Sequence, residues 1–263
     1  MSIFNRFRLD GQVAIITGAG RGIGAAIAKA FAEAGADVVL AARTLEQLEI
    51  TAKSVRGFGR RCLIVQTDVM EDEQLQQLAD KAMAEFGRID ILVNNAGGFP
   101  PKPALQTSSR DIEKAFKFNV VSAFELTRIC VPLMVASAGG GSVINISSVA
   151  GQWPSACFAA YGTAKSSLSF LTQELAQEFA PKVRVNAIGV GSTKTEALNS
   201  VLSPEIEKTM VELTPMARLG EVEDIALGAL YLASPAASYI TGEILGINGG
   251  LTRLNMDMPR AFS

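Results

Sequence analysis

A glycine-rich turn near the start of the chain restricts the fold more than any other feature of the sequence. Its residues, TGAGRGIG at 17–24, follow the apolar run 13–17 and precede an alanine-rich segment. Gly18 permits a tight turn, Gly22 lets the backbone approach a diphosphate, and Gly24 allows a helix to pack closely on a strand. Because the start of a helix attracts anions, the pattern predicts a strand, turn and helix that hold a dinucleotide.

Further apolar runs recur between helical segments and complete a predicted sheet. Its strands are 13–17, 38–40, 63–65, 91–93, 143–146, 183–188 and 244–247, and the predicted helices include 24–34, 73–86, 111–137, 161–179 and 223–233. Most runs are apolar on both faces, as in a parallel sheet covered by helices on each side. The sequence therefore predicts an α/β fold in a single domain, 1–263, with a Rossmann-like doubly wound sheet of about seven parallel strands and helices on both faces.

Charge and cysteine content limit the partners of the chain. Lys and Arg number 24 and Asp and Glu number 26, so no large net field attracts nucleic acid or an anionic membrane. The three cysteines show no CxxC spacing, and no apolar run approaches the ~18 residues of a membrane span. We expect a cytoplasmic protein that acts on a small molecule and uses no metal.

The chain contains no histidine. This absence excludes Ser-His-Asp and Cys-His nucleophilic sites, the usual zinc ligands, and imidazole as an acid or base. An enzyme built from this sequence must use another proton donor.

The residues after the second predicted strand indicate which dinucleotide is bound. In this fold an acidic residue there binds the ribose 2′-hydroxyl of NAD, but the sequence has Arg43. Arg43 and Arg21, which lies in the glycine turn, suit a 2′-phosphate because a guanidinium binds phosphate well. The pair favours NADP(H) over NAD(H); the alternative is that both arginines are simply solvated.

Two other loops follow strands at the same edge of the sheet, where ligands bind in such folds. Asp68 suits a bond to an adenine amino group, and Ala96 and Gly97 leave backbone room beside a nucleotide. The complete predicted dinucleotide site comprises Gly18, Gly20, Arg21, Gly22, Ile23, Gly24, Arg43, Asp68, Val69, Asn95, Ala96, Gly97, Tyr161, Lys165, Thr193 and Thr195.

Tyr161 and Lys165 lie four residues apart in a predicted helix, so their side chains share one face. Ser148 precedes Tyr161 by thirteen residues, at the end of a predicted strand. Together with TGAGRGIG, NNAG, YGTAK and INGG, these residues resemble the short-chain dehydrogenase/reductase family over nearly the whole chain. Without the other motifs, Tyr161 and Lys165 would be read as an ordinary exposed pair.

The resemblance implies a role for four residues. Tyr161 is the expected acid and base, Lys165 its activator and a ribose ligand, Ser148 the hydroxyl that orients a carbonyl, and Asn119 a water-holding residue. An ammonium ~4 Å from a phenol contributes up to ~4 kcal/mol, which lowers the phenol pKa of ~10 by about three units before desolvation opposes it. Ser147 competes with Ser148, but strand alternation separates the two and the spacing to Tyr161 selects Ser148.

The reaction implied is the NAD(P)(H)-dependent interconversion of a secondary alcohol and a ketone. Where the family has Pro-Gly after the sixth strand, this chain has Val190 and Gly191. Thr193 and Thr195 remain the expected ligands of the nicotinamide carboxamide. Within the family, NNAGG followed by PPKP looks most like bacterial hydroxysteroid dehydrogenases, which implies a bulky apolar alcohol as substrate.

The segment 192–215, rich in Thr, Ser and Pro, is predicted to be a substrate lid, with a plain surface loop as the alternative. The predicted substrate pocket comprises Ser148, Trp153, Phe158, Leu198 and Leu202, with Phe99 as a further candidate. The apolar members would serve equally well in a core. Two other functions remain open: a 3-oxoacyl-(acyl carrier protein) reductase, and a non-catalytic NADP-binding sensor or scaffold.

The resemblance also implies a homotetramer. A stripe on helix 161–179 suits either the core or a partner helix, and the resemblance favours the partner. The stripe consists of Ala164, Leu168, Leu171, Leu175 and Phe179. The tail after Gly250 is expected either to pack on a neighbouring subunit or to fray.

Overall fold

A single sheet of seven parallel strands organises the structure, a computed structural model that describes residues 2–199, 202–256, 258 and 260. The strands are β1 Val13–Thr17, β2 Asp37–Ala42, β3 Cys62–Gln66, β4 Ile91–Asn94, β5 Gly141–Ser148, β6 Val183–Val190 and β7 Ile244–Ile247. Their order across the sheet is β3-β2-β1-β4-β5-β6-β7. The predicted doubly wound sheet is confirmed, and every predicted strand lies within an observed one.

Helices connect the strands and cover both faces of the sheet. They are α1 Gly22–Glu33, α2 Leu45–Gly57, α3 Asp72–Phe86, α4 Ser109–Phe116, α5 Ser122–Ala138, α6 Ala159–Phe179, α7 Glu196–Asn199, α8 Pro204–Glu212 and α9 Val222–Ala233. The helix predicted over 111–137 is interrupted by a π-helical turn, Lys117–Val121. The segment 192–215 is more regular than expected because it contains α7 and α8; its residues 200 and 201 lie outside the described residues.

Each face of the sheet has its own apolar core. Ile16 and Leu40 pack with Phe31 of α1 on one face, whereas Ile15 and Leu92 pack with other helices on the opposite face. This arrangement explains why the strands are apolar at successive positions, since neither face of a parallel sheet meets water. The chain winds outward from β1 in one direction and from β4 in the other, which leaves a crevice where the two strands end.

Helix α6 contributes its apolar stripe to this core. Ala164 and Leu168 are buried, and so is Leu175. These three side chains therefore pack within their own subunit, whereas Leu171 and Phe179 are half-buried, and the contact of the stripe with a partner helix stays a prediction. The exposed apolar residue of α6 is Phe170, which is 62% exposed.

Among the described residues, one helical stretch, Ser109–Ala138, is long and apolar enough to cross a membrane, with a mean hydropathy of 1.5. The sequence analysis expected no segment of that length. Leu126, Cys130 and Met134 of this stretch are buried against the sheet. A core helix of a globular fold meets the same criterion, and the packing of α5 identifies it as one.

Candidate active site

A cavity of about 660 Å³ opens at the carboxyl ends of the central strands. It is lined by most of the predicted dinucleotide site, namely Gly18, Gly20, Arg21, Gly22, Ile23, Arg43, Asp68, Val69, Asn95, Ala96, Gly97, Tyr161, Lys165, Thr193 and Thr195. Residues separated by up to 177 positions in sequence are thus brought to one edge of the sheet. Among the described residues, no group of three or more His, Cys, Asp or Glu side chains could hold a metal ion.

Some predicted residues lie beside this cavity rather than on its wall. Gly24 is buried, and a Cβ added to it would lie 2.3 Å from the carbonyl oxygen of Gly18. Its lack of a side chain therefore serves packing, as predicted. The predicted substrate residues Trp153, Phe158, Leu198 and Leu202 and the candidate Phe99 are not on the wall either, although the Phe158 ring lies 6.2 Å from that of Tyr161.

The sequence analysis missed several residues of the cavity wall, among them Thr44, Gln47, Phe118 and Glu196. Each is within four residues of a position that was predicted, so proximity to the motifs was the available signal. Side chains near the motifs reach the cavity because the strand ends and helix starts there are closely spaced.

The glycine turn leads directly into the first turn of α1. Gly18 has φ 63° and Gly22 has φ 54°, a conformation that favours glycine. No side chain caps the start of α1 at Arg21. The amide groups of this first turn therefore face the cavity without a side-chain acceptor, which suits a diphosphate.

Asn95 joins the loop after β4 to the glycine turn. Its Nδ2 donates to the carbonyl oxygens of Thr17 at 2.8 Å and Gly18 at 3.2 Å. The amides of Asn95 and Ala96 both donate to the Thr17 hydroxyl at 3.0 Å. These bonds hold the two loops together and fix the floor of the cavity.

The two arginines predicted to meet a 2′-phosphate have different surroundings. Arg43 is exposed on the cavity wall and forms no ion pair with any described residue, while its carbonyl accepts a bond from Gln66 at 2.7 Å. Arg21 is bonded to Glu196 of α7 at 3.0 Å. The Arg43 guanidinium is thus available to bind an anion, whereas the Arg21 guanidinium already pairs with Glu196, within the segment 192–215.

Ser148 and Tyr161 also belong to the wall of this cavity. Both side chains line the cavity, and the Ser148 Oγ accepts a bond from the Ala150 amide at 3.1 Å. Burial raises the pKa of Tyr161 above its ordinary value, and the Ser148 side chain partly opposes this shift. Ser147 instead bonds the Lys165 carbonyl and the Ser169 hydroxyl, which supports the choice of Ser148.

Lys165 is buried beneath Tyr161. Its Nζ donates to the Ile146 carbonyl oxygen at 2.7 Å and lies 5.8 Å from the centre of the Tyr161 ring. Burial lowers the pKa of Lys165 to about 7. The expected fall in the pKa of Tyr161 was therefore wrong for this arrangement, because desolvation dominates at the phenol and the ammonium is bonded to backbone.

Asn119 lies in the π-helical turn, a feature frequent at functional sites. Its Oδ1 accepts from the Gly98 amide at 2.8 Å, and its Nδ2 donates to the Ala115 carbonyl at 2.8 Å. A Cβ added to Gly97 would lie 2.7 Å from Asn119 Oδ1 and 3.1 Å from Lys165 Nζ. The two side chains therefore converge on Gly97.

Comparisons with known proteins agree with this geometry. Residues 18–252 match the family described as enoyl-(acyl carrier protein) reductase. The chain is 51% identical to an uncharacterized oxidoreductase of Mycobacterium tuberculosis over 98% of both chains. It is 40% identical to the 7α-hydroxysteroid dehydrogenase of Escherichia coli over 94% of this chain and 96% of the relative. The chain belongs to the short-chain dehydrogenase/reductase family.

A solved structure supports the same membership. The fold superposes with a TM-score of 0.92 on a 7α-hydroxysteroid dehydrogenase complexed with NADH and 7-oxo glycochenodeoxycholic acid. That protein shares 40% identity with this one, and the match covers 95% of this chain and 98% of the other. This member of the short-chain dehydrogenase/reductase family is therefore an oxidoreductase, and its glycine turn and open helix start fit a nicotinamide dinucleotide.

Proposed function

We propose that the protein interconverts a secondary alcohol and a ketone with NADP(H) as its preferred cofactor. The observation that carries the proposal is that Ser148, Tyr161 and the buried Lys165 line the same cavity as the glycine turn. A proton donor thus adjoins the expected position of the hydride carrier. Neither group needs a histidine or a metal to act.

In the reductive direction, the Ser148 hydroxyl donates a hydrogen bond to the substrate carbonyl oxygen and stabilises the negative charge that develops there. The nicotinamide, when bound, supplies the hydride to the carbonyl carbon. Tyr161 transfers its phenolic proton to the same oxygen, which gives the alcohol. Charged Lys165 then stabilises the resulting phenolate until a proton returns; oxidation follows the same steps in reverse.

The preference for NADP(H) rests on charge at the end of β2. Arg43 and Arg21 line the cavity there, and no carboxylate directly follows the strand in sequence. A 2′-phosphate gains charge-assisted bonds from a guanidinium, whereas a ribose 2′-hydroxyl would lack its usual acidic acceptor. Both differences favour NADP(H) over NAD(H).

The proposed substrate is a bulky apolar alcohol or ketone, with a hydroxysteroid as the first candidate. The similarity to 7α-hydroxysteroid dehydrogenase extends over nearly the whole of both chains. We propose that four apolar side chains contact the substrate under the lid segment 192–215, and that Phe158, whose ring lies 6.2 Å from that of Tyr161, is one of them. These side chains are Trp153, Phe158, Leu198 and Leu202.

A 3-oxoacyl-(acyl carrier protein) reductase remains the second candidate, because the chain is 33% identical, over 93% of its length and 99% of the relative, to such a reductase of Thermotoga maritima. A non-catalytic NADP-binding sensor or scaffold is the third. The chain retains Ser148, Tyr161 and Lys165 together. Ser148 is not among the predicted cofactor ligands, so a protein that only binds NADP would not need it, and its presence favours an enzyme over a sensor or scaffold.

One assay separates the three candidates. The purified protein is incubated with NADPH or NADH and either a 7-oxo bile acid or an acetoacetyl thioester, and absorbance of the reduced nicotinamide is followed. We expect fastest turnover with the steroid and NADPH. Faster turnover of the thioester would establish the reductase, and tight NADPH binding without turnover of either substrate or a wider carbonyl panel would establish the sensor.

We further propose a cytoplasmic homotetramer. Exposed apolar side chains on three helices support assembly: Val121 and Val135 flank or lie on α5, Phe170 lies on α6, and Leu227 lies on α9.

A further inference from the structure

The C-terminal tail reaches both ends of the lid segment 192–215 through one side chain. Asn255 is 2% exposed, although it lies close to the end of the chain. The Ser192 hydroxyl donates to Asn255 Oδ1 at 2.6 Å. Asn255 Nδ2 donates to the Met210 carbonyl at 3.1 Å and to the Thr214 hydroxyl at 3.0 Å.

The first of these contacts lies next to the cavity. Gly191 and Thr193, on either side of Ser192, both line it. Thr193 pairs with Gly220 in an isolated parallel bridge, and the Gly220 amide donates to the Ser192 carbonyl at 2.9 Å. The entrance to the lid segment is therefore held in place by backbone on one side and by Asn255 on the other.

The other two contacts lie where the lid segment returns to the body of the protein. Met210 and Thr214 are buried, and the Thr214 hydroxyl donates to the Met210 carbonyl at 2.7 Å. One amide group thus joins the start of the segment to its end. Asn255 therefore closes the base of a loop. Helix α7 and most of α8 lie in that loop, between the two joined ends.

We propose that Asn255 is a positioning residue that couples the two ends of the lid segment and so holds Thr193 and Thr195 in register with the cavity. The tail is neither frayed nor free at this point, because the carboxamide is buried and all of its described bonds go to the lid segment. This inference rests on the proposed function of 192–215 as a lid over the reacting centre. Loss of the carboxamide would let the ends separate and raise the population of open lid.

Limited trypsin digestion tests the coupling without substrate or cofactor. Lys194 and Lys208 lie within the lid segment, and exposed Lys53 of α2 serves as a reference. In Asn255→Ala we expect cleavage after Lys194 and Lys208 to accelerate by roughly tenfold while cleavage after Lys53 changes less than about twofold, because cleavage follows the population of the open form. Thr252→Ala, at an exposed position of the same tail, should cleave like the wild type.

Ser192 provides a second pair of variants in case Asn255→Ala does not fold. Ser192→Ala removes one bond to Asn255 and should accelerate lid cleavage by about threefold, whereas Ser192→Thr keeps the hydroxyl and should not. Equal acceleration at Lys53 would show that the tail supports only global stability. Unchanged lid cleavage in both Asn255→Ala and Ser192→Ala would likewise overturn the proposal.

Steady-state kinetics then tests the positioning role. We expect Asn255→Ala to raise KM for the cofactor and the alcohol by roughly fivefold while kcat stays within about threefold, because the lid orders the bound ligands rather than the proton donor. Faster lid cleavage with unchanged KM values would overturn positioning. If the wild type turns over no substrate, the proposed function fails, but the digestion result still decides whether Asn255 couples the lid.

Discussion

Desolvation raises the pKa of the Tyr161 phenol, and the neighbouring Lys165 ammonium is bonded to backbone. We expect Tyr161→Phe to lower kcat by roughly 10³-fold, within the range for removal of a general acid or base. Cofactor affinity should remain within about twofold, because the ring and the rest of the cavity persist. Stopped-flow turnover and cofactor titration measure the two quantities. Tyr239→Phe, at a fully exposed position, is the control, and retained turnover in Tyr161→Phe would contradict the assignment.

Burial of the Lys165 ammonium is expected to lower the stability of the folded protein, although the proposed function requires this lysine at the site. Its pKa in the folded protein, about 7, lies below its ordinary value of 10.5. The unfolded chain therefore binds more protons between these two pH values, so this group's penalty is complete below pH 7 and disappears as pH rises through 10.5.

The corresponding prediction concerns Lys165→Met. The variant should melt at a higher temperature than the wild type at pH 6.5, by roughly 2–4 °C for each kcal/mol of penalty relieved. The difference should shrink toward pH 10. Differential scanning calorimetry at both pH values measures it, with exposed Lys53→Met as the control. A lower melting temperature at pH 6.5 would mean that the bond to the Ile146 carbonyl outweighs the desolvation of the ammonium.

Arg43 is the residue to test for cofactor choice. We expect Arg43→Ala to raise KM for NADPH by roughly tenfold or more and to leave KM for NADH within about twofold, since only NADPH loses charge-assisted bonds. Arg56→Ala, an exposed change in the neighbouring helix α2, should alter neither value. Equal losses for both cofactors would assign Arg43 to the fold rather than to the 2′-phosphate.

At the scale of elements, the short 3-10 turn Val149–Gly151 sets how closely β5 approaches α6. A Cβ added to Gly151 would lie 2.6 Å from the carbonyl carbon of Lys165 and 2.7 Å from the amide nitrogen of Ser166. Backbone cannot yield as a flexible side chain does. The distance between Ser148 and the face of α6 that carries Tyr161 therefore depends on this glycine.

We expect Gly151→Ala to push α6 away from β5, to lower kcat by at least about tenfold and to lower the melting temperature by several degrees. Gly57→Ala is a matched control because nothing lies within 4 Å of its added Cβ. That helical change should maintain or slightly raise stability. Turnover and thermal melts of the two variants measure the difference, and equal behaviour would show that α6 tolerates displacement.

Elements differed in how far their sequences determined them. The strands were predictable because burial on both faces leaves a direct apolar signal, and Ser148 was selected by its spacing to Tyr161. The break in the helix at Lys117–Val121 could not be predicted, because its residues also suit a continuous helix. The π-helical turn depends instead on contacts of Asn119 with Gly98. Helix α7, Glu196–Asn199, has only four residues and is too short to show a pattern of its own. The raised pKa of Tyr161 depends on burial, which spacing does not reveal.

For the whole molecule, the apolar surface predicts assembly. Phe170 is 62% exposed on α6. We expect light scattering after size-exclusion chromatography to give the mass of a tetramer for the wild type and a smaller species for Phe170→Glu, because a buried unpaired carboxylate is strongly unfavourable in an interface. Phe58→Glu, at another exposed phenylalanine directly after α2, should leave the mass unchanged. A monomeric wild type would contradict the proposed assembly.

The all-parallel order of the sheet also determines how the protein reaches its native state. Adjacent strands are never joined by a hairpin, and β1 must pair with β4, so that Ala14 comes to lie beside Ile91. The chain loses conformational entropy when it closes such loops, and the favourable contacts between paired strands form only afterwards. A fold with many contacts between distant parts of the chain therefore refolds slowly. Unpaired apolar strands remain exposed during that time and favour aggregation. Yield of folded protein should therefore depend strongly on temperature and concentration during expression, even where the native state is stable.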